Sequence, residues 1–172
     1  PNEDGYPAFM NFVAKYASCV KAHQLFYDYV KFILTRTNRY TKKKYKDDPA
    51  IMSWQIGNEP RAFSKEQLPA FEKWLGEASK LIRSLDKNHL ISIGSEGKWG
   101  CEGELNCWER ICADKNVDYC NIHLWPYNWS WARKDHLQED LGISCQNTKE
   151  YIDEHLEVCG RIRKPLVMEE FG

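Results

Sequence analysis

The stretch Trp54–Arg61, with the sequence WQIGNEPR, ends an apolar segment on the carboxylate of Glu59. Near the end of the chain, Lys164–Gly172, KPLVMEEFG, repeats this arrangement with Glu169 and Glu170. An acid at the last position of a buried strand does not help packing, because burying an unpaired carboxylate costs free energy. Two strand ends that each carry an acid therefore indicate a site built from the carboxyl ends of strands.

Apolar runs along the chain predict short buried strands that alternate with amphipathic helices. The predicted strands are Ile51–Ile56, His89–Gly94, Val117–Leu124 and Pro165–Glu169. One helix is predicted from a stripe that comprises Leu68, Phe71, Leu75, Ala78, Ile82 and Leu85. Further helices are predicted from the spacing of Leu25, Phe26, Tyr29, Phe32 and Ile33, over Leu105–Ala113, and from a capping box at Asn147 and Glu150. Apolar strands that alternate with helices predict a parallel sheet covered by helices.

Such a sheet is either open or closed into a barrel. An open, doubly wound sheet usually carries a Gly-rich G-x-G-x-x-G turn after its first strand, and the sequence has none. In a closed (β/α)8 barrel the catalytic groups lie at the carboxyl ends of several strands, which is where Glu59, His123 and Glu170 fall. A complete barrel needs about 250 residues. The 172 residues, which no linker divides, therefore predict one incomplete barrel domain over 1–172.

Bulk properties exclude several classes of function. The net charge of −1 gives no support for binding nucleic acid or an anionic membrane surface. No apolar stretch approaches the roughly 20 residues that span a bilayer. The chain starts at Pro1 without a signal peptide, which we interpret as loss of its beginning rather than as evidence of its location.

Seven cysteines are many for a chain of this length. The spacing of Cys101, Cys107 and Cys112 does not form the paired C-x₂-C arms of common zinc modules. Disulfides in an exported protein fit better, with some cysteines buried as small apolar residues. The odd number leaves at least one thiol without a partner in the chain.

Two strand-end acids suit glycoside hydrolysis, in which one acid protonates the leaving oxygen and the other attacks or activates water. Asn58, beside Glu59, can bond a sugar hydroxyl, although Asn-Glu-Pro is also common in turns and helix caps. Because Asn58-Glu59-Pro60 lies at the end of a predicted strand, a role in binding and cleaving a sugar is favoured over a turn or a helix cap. Because neighbouring side chains on a strand point to opposite sides, only one of Glu169 and Glu170 is expected to face the site.

His123 ends the third predicted strand and precedes a loop rich in aromatic residues. It either orients a carboxylate or is a buried histidine that bonds a backbone carbonyl, and the sequence favours neither. The loop extends from Trp125 to about Cys145 and contains Tyr127, Trp129 and Trp131. Aromatic rings stack on the apolar faces of sugars, but alternating aromatics can also pack on a core. We expect Trp125 and Trp129 to bind substrate.

Four segments in order resemble the endo-β-1,4-mannanases of glycoside hydrolase family 5. They are Asp47–Arg61 (DDPAIMSWQIGNEPR), His89–Gly97 (HLISIGSEG), Asp118–Trp129 (DYCNIHLWPYNW) and Lys164–Gly172 (KPLVMEEFG). The likeness extends over nearly the whole chain. It implies an α/β fold that is part of a TIM barrel, approximately strands four to seven with their helices, and hence a fragment that is inactive by itself.

The resemblance also implies roles for individual residues. Glu59 corresponds to the acid/base, and Glu170, directly before an aromatic-Gly pair, corresponds to the nucleophile. Asn58 would bond the 2-hydroxyl of the sugar, and His123 would line the site. Arg61 would contact sugar on the leaving-group side. Many relatives carry a tyrosine that bonds the nucleophile where this chain has Trp125, so the hydroxyl must come from elsewhere or be absent.

The resemblance thus predicts a retaining endo-acting hydrolase of β-mannan, glucomannan or galactomannan that needs no metal or cofactor. The expected location is secreted or periplasmic, where such polysaccharides are degraded. Three alternatives stay open. The first is a β-1,4-glucanase of the same clan, because strand-end glutamates do not report the configuration at C2 of the sugar. The others are a non-catalytic sugar-binding relative and a gene fragment with no function.

Overall fold

The computed structural model describes residues 5–172 as alternating helices and strands. The helices are α1 (Gly5–Ala14), α2 (Val20–Thr35), α3 (Leu68–Leu85), α4 (Leu105–Ala113) and α5 (Leu137–Ile162). The strands are β1 (Ser53–Gln55), β2 (Leu90–Ser92), β3 (Cys120–Leu124) and β4 (Leu166–Phe171). The order of elements agrees with the sequence prediction, although the first three strands are shorter than predicted and the fourth extends two residues further.

The strands form two parallel pairs, β1 with β2 and β3 with β4. Within residues 5–172, no ladder of backbone hydrogen bonds joins β2 to β3, but hydrogen bonds from side chains connect the two pairs. The carboxylate of Asp118 accepts a hydrogen bond from the N–H of Ile91 at 2.7 Å, and Asn121 Oδ1 accepts one from the N–H of Gly94 at 3.0 Å. The spatial order therefore follows the chain order β1-β2-β3-β4, which is the order expected for an arc of a barrel.

The predicted core is confirmed in its central part. In α3, Phe71, Leu75, Ala78 and Ile82 are buried, and α4 has the predicted bounds. All five residues of β3 are buried. By contrast β4, predicted as a buried strand, exposes Val167 and Met168.

The start predicted for the last helix is wrong. Helix α5 begins at Leu137, so Cys145 and Asn147 lie inside it and Asn147 caps nothing. Acidic side chains in the first turn suit the helix dipole, and Asp140 also pairs with Arg133 of the preceding loop at 2.7 Å. The sequence predicts a buried face of Ile152, Leu156 and Cys159. Cys159 is buried as predicted, but Leu156 is exposed, and the rest of the buried face is formed by Tyr151, His155 and Val158.

Helix α2 exposes much of its predicted stripe. Leu25 is 65% exposed and Phe32 56% exposed, while Val30 and Leu34 are buried. The helix uses another face because its main contact in the described part of the chain is with α3.

Across residues 5–172, no helix combines the length and the apolar character that crossing a membrane requires.

The disulfides predicted from the cysteine count are not formed. All seven cysteines fall within residues 5–172, and all are free thiols. Cys19 and Cys145 are exposed, whereas the other five are buried. The buried thiols pack as small apolar residues in the core. The prediction that some cysteines are buried as small apolar residues is therefore confirmed.

Asp86, directly after α3, ties three segments together. It is 2% exposed and accepts hydrogen bonds from Trp54 Nε1 at 2.7 Å, from the N–H of Asn88 at 2.8 Å and from His89 Nδ1 at 2.6 Å. Burial opposes ionisation, but these donors outweigh it and hold the pKa of Asp86 below its usual value. The carboxylate thus anchors β1 to the turn that leads into β2.

We expect Asp86→Ala to lower the free energy of unfolding by about 2–4 kcal/mol, because buried donors from Trp54 and His89 lose their acceptor. Urea denaturation measures this change. Asp153→Ala is the matched control, since Asp153 lies exposed on α5 and pairs only with Lys149 in an exposed i,i+4 contact. Equal losses in the two variants would contradict the anchoring role.

Candidate active site

Glu59 lies just beyond β1 in a strained backbone conformation. Its φ is +48°, a left-handed value that is uncommon for residues other than glycine. Its N–H donates to the carbonyl oxygen of Gly94 at 2.9 Å, which fixes it to the end of β2. Gly94 itself has a φ of +75°, and a Cβ there would lie 2.0 Å from the carbonyl oxygen of Gly57. Glycine is therefore required where the two strand ends approach each other.

A β-bulge places both glutamates of β4 beside the site. Ile122 of β3 pairs with Met168, and the next residue, His123, pairs with Glu170, so Glu169 is an extra residue on β4. The expectation that strand alternation directs one glutamate away is wrong, because a bulge interrupts the period of two. Oε2 of Glu169 lies 3.8 Å from Nε2 of His123, and Oε2 of Glu170 lies 3.4 Å from its Nδ1.

His123 lies at the centre of these carboxylates and is 1% exposed. Since an ionised carboxylate only accepts, His123 Nδ1–H donates to Oε1 of Glu59, at 2.8 Å. Ligand atoms of Glu59, His123 and Glu170 all lie within 4.8 Å of one another. Of the two roles that the sequence left open for His123, the structure thus shows the orientation of a carboxylate.

Trp125 provides the hydrogen-bond donor to Glu170 that the sequence analysis did not identify. Its indole Nε1–H donates to Oε2 of Glu170 at 3.1 Å. The resemblance to mannanases implies that in many relatives a tyrosine at this position bonds the nucleophile. The indole N–H replaces that hydroxyl as a donor to the carboxylate.

Arg61 forms an ion pair behind Glu59. Its Nη2 donates to Oε2 of Glu96 at 2.6 Å, and Glu96 is fully buried. Burial raises the pKa of Glu96 to about 7, although the Arg61 charge opposes the shift. Arg61 itself stays partly exposed. It lies beside Glu59 as predicted, but its guanidinium is engaged with an acid that the sequence interpretation did not single out.

The aromatic side chains of the loop after β3 pack against one another, so they are not all free to stack on a sugar. Trp129 lies 4.9 Å from Trp131 and 5.1 Å from Tyr151 between ring centroids, and Trp99 is also close, at 6.1 Å. Trp129 and Trp131 remain partly exposed, so each keeps some ring surface for a ligand.

A cavity of about 480 Å³ reaches Glu59 from the side of α1. Its walls include Pro60, Arg61, Phe63 and Tyr16. The lining is mostly apolar and aromatic, with Lys15, Glu59 and Arg61 as its charged groups. Asn58, next to Glu59, is exposed to solvent.

Glu59, His123 and Glu170 are also the one set of three or more His, Cys, Asp or Glu side chains in residues 5–172 that could hold a metal ion. The contacts of His123 with Glu59 and of Trp125 with Glu170 already satisfy part of this set. Two carboxylates also suffice for glycoside hydrolysis without a metal. Activity without a metal therefore stays a prediction.

The sequence interpretation missed Glu96 and Gln55. Glu96 follows the apolar segment His89–Gly94, so the criterion that identified Glu59, an acid just after a strand, also applies to it. Gln55 donates from Nε2 to Oε1 of Glu169. No sequence signal identifies that contact, because it joins the ends of strands far apart in the chain.

The raised pKa of Glu96 has a consequence for stability. Between the ordinary pKa of 4.5 and about 7 the folded protein keeps a proton that the unfolded chain has lost. Stability should therefore fall as pH rises through this interval, by roughly 3 kcal/mol at most. Glu96→Gln cannot titrate and should flatten the curve, as measured by thermal denaturation from pH 4 to 8. Glu157→Gln controls for loss of a surface carboxylate, and identical pH curves for wild type and Glu96→Gln would contradict the assignment.

Comparison with known proteins agrees with this geometry. Residues 1–172 match the family described as GH family 5 beta-mannosidase-like. The chain is 33% identical over 152 residues to mannan endo-1,4-beta-mannosidase 4 of Solanum lycopersicum, covering 83% of this chain and 37% of that protein. It is 32% identical over 164 residues to mannan endo-1,4-beta-mannosidase 1 of Arabidopsis thaliana, covering 87% and 39%.

Solved structures show the same relationship. The glycoside hydrolase family 5 mannosidase of Rhizomucor miehei superposes with a TM-score of 0.83 at 32% identity, over 100% of this chain and 40% of that one. The endo-beta-1,4-mannanase of Thermotoga petrophila gives 0.75 at 26% identity, over 92% and 36%. The chain therefore spans less than half the length of these relatives, and its fold is part of their barrel. It belongs to glycoside hydrolase family 5.

Proposed function

We propose that this chain carries the catalytic carboxylates of a retaining endo-β-1,4-mannanase. The observation that supports this most directly is that oxygens of Glu59 and Glu170 lie within 4.8 Å of each other. Retaining glycosidases hold their carboxyl groups about 5–5.5 Å apart, whereas inverting enzymes leave about 6.5–9.5 Å for a water molecule. The proximity of the two carboxylates therefore fits the shorter spacing of a retaining enzyme.

In the first step Glu170 attacks the anomeric carbon and forms a glycosyl-enzyme, while Glu59 gives its proton to the leaving oxygen. Oε2 of Glu170 accepts the Trp125 N–H, so Oε1 is the oxygen directed to the sugar. Oε1 of Glu59 similarly bonds His123, which assigns proton transfer to Oε2. The two donors hold both carboxylates in place before the substrate binds.

In the second step Glu59 takes a proton from water, and the resulting hydroxide releases the sugar from Glu170 with retained configuration. Asn58 bonds the 2-hydroxyl of the reacting sugar. Arg61, held by Glu96, contacts the sugar on the leaving-group side, and Trp125 and Trp129 offer ring surface. No step requires a metal or a cofactor.

The named relatives support the substrate, a β-mannan chain, since several are mannan endo-1,4-beta-mannosidases. Residues 1–172 would then form a single incomplete catalytic domain, and the whole enzyme would contain further strands of the barrel. We infer secretion as well, because mannans are extracellular polymers too large to enter a cell.

A second candidate is an exo-acting β-mannosidase. The matching family is described as beta-mannosidase-like, and the Rhizomucor miehei mannosidase superposes with a higher TM-score, 0.83, than the Thermotoga petrophila endo-mannanase at 0.75. The two modes differ in their products. An endo enzyme releases mixed oligosaccharides from the polymer, whereas an exo enzyme releases mannose alone.

We expect Glu170→Ala to reduce hydrolysis of β-mannan by on the order of 10³-fold or more, because the attacking group is lost. The assay uses the complete polypeptide that contains this chain and compares β-mannan with a soluble cellulose. Glu169→Ala is the matched control and should lose far less activity, since Glu169 only bonds Gln55 and lies near His123.

Each outcome of this assay has a distinct meaning. A greater loss in Glu169→Ala would transfer the nucleophile role to that residue. Cleavage of cellulose but not of mannan would overturn the substrate and keep the mechanism. Binding without cleavage of either polymer would favour a sugar-binding protein.

Trp125→Phe should lower kcat roughly tenfold, because the aromatic ring stays but the N–H that holds Glu170 is lost. The KM for β-mannan should change much less if the main role of Trp125 is to orient the nucleophile. Steady-state kinetics separate the two parameters. A rise in KM at constant kcat would instead identify Trp125 as a substrate platform.

A further inference from the structure

A small crevice lies between the loop after β2 and helix α5. We call it the Trp131 crevice. Its volume is about 210 Å³. It is lined by Lys98, Trp131, Asn147, Glu150, Tyr151 and Glu154. None of these residues belongs to the catalytic group described above.

The lining has the chemistry of a site for a neutral sugar. Trp131 is partly exposed and presents ring surface. Asn147 offers an amide that both donates and accepts, and Glu150 offers an exposed carboxylate. A sugar presents hydroxyl groups at its rim and C–H groups on its faces, so it matches polar side chains around an aromatic ring.

The charges of the crevice argue against an anionic ligand. The Lys98 ammonium is already paired with Glu154 at 2.5 Å and lies 5.6 Å from the centre of the Tyr151 ring. Glu150 adds a further negative charge. A phosphate or carboxylate would meet net repulsion there, whereas an uncharged hexose would not.

The crevice is connected to the catalytic residues by a short series of contacts. The carbonyl oxygen of Glu96 accepts hydrogen bonds from the His123 backbone N–H at 3.3 Å and from the Tyr151 hydroxyl at 2.7 Å. Tyr151 forms a wall of the crevice, and its ring, Trp129 and Trp131 all pack against one another, with centroids 4.9–6.0 Å apart. The Glu96 carboxylate in turn binds Arg61 beside Glu59.

The backbone at Gly97 permits this arrangement. A Cβ there would lie 2.2 Å from the Tyr151 hydroxyl and 2.8 Å from Nε2 of His155, and the φ of +103° also disfavours other residues. The Tyr151 wall is thus held in a fixed position relative to the catalytic residues. Because the Tyr151 hydroxyl and the His123 N–H bond the same carbonyl oxygen, the crevice lies next to the catalytic group.

We propose that the Trp131 crevice is a distal subsite that binds one neutral hexose unit of the polysaccharide outside the catalytic group. This inference rests on the proposed endo-mannanase function. Trp131 stacks on the hexose, and Asn147 and Glu150 bond its hydroxyl groups. The hexose is either a mannose of the main chain or a galactose branch, since both present the same chemistry.

The test is the double variant Asn147→Ala/Glu150→Ala, made in the complete polypeptide that contains this chain. Both residues lie on the outer part of α5, so the fold should be retained, and thermal denaturation checks it. The measurement is kcat/KM on linear β-1,4-manno-oligosaccharides of increasing length and on galactose-substituted ones of the same length. We expect the ratio of kcat/KM on long to short substrates to fall roughly tenfold, the equivalent of one or two lost hydrogen bonds.

The two substrate series separate the sources of the hexose. A fall on linear substrates assigns the crevice to the main chain, and a fall on substituted substrates alone assigns it to a branch. Glu157→Gln, on the same helix outside the crevice, is the matched control. An unchanged ratio in both series would overturn the proposal.

Failure of the subsite and failure of the proposed function remain distinguishable. If wild type cleaves β-mannan and Glu170→Ala does not, an unchanged ratio refutes the subsite alone. If wild type cleaves no β-mannan, both the proposed mannanase function and the subsite are refuted. Calorimetric titration of Glu170→Ala with manno-oligosaccharides, with and without Trp131→Ala, gives a readout independent of turnover, and equal affinities would also refute the subsite.

Discussion

The buried imidazole of His123 is the constraint on which the arrangement of the site depends. It lies at the end of β3, the one strand in residues 5–172 that is buried along its whole length. Its backbone N–H bonds the Glu96 carbonyl oxygen, and its ring contacts Glu59, Glu169 and Glu170. Because β3 is enclosed by the core, the ring has little freedom, and the carboxylates of β1 and β4 are positioned relative to it. The core of the domain thus determines the geometry of its chemistry.

Much of this arrangement could be predicted from the sequence. Acids after apolar runs identified Glu59 and Glu170, and a histidine at the end of a third strand completed the group that the structure brings together. The bulge at Glu169 could not be predicted, because alternation along a strand assumes regular pairing and the extra residue appears only when β3 and β4 are paired. The start of α5 could not be predicted, because residues 137–146 include Gly142 and several polar side chains, which are equally typical of a loop.

The exposed apolar surface follows from the part of the barrel that these residues form. Within 5–172, β1 and β4 each pair on one edge only, and Met168 and Phe171 lie exposed on β4. A closed barrel has no free edges, and further strands would cover these positions. Both proposed catalytic carboxylates nevertheless lie on this arc. Closure would therefore contribute burial and substrate contacts rather than the reacting groups.

Four acids meet at one end of the strands, and such a group would repel itself without compensation. The structure gives each carboxylate its own donor. The pairs are Glu59 with His123, Glu96 with Arg61, Glu169 with Gln55 and Glu170 with Trp125. The donors differ in kind: the indole N–H and the amide are neutral and cannot lose a proton in the working range of pH, whereas Arg61 carries a full charge and pairs with the buried acid. Neutral donors orient Glu170 without neutralising it, which a nucleophile requires, whereas the Arg61 charge partly offsets the burial that raises the pKa of Glu96.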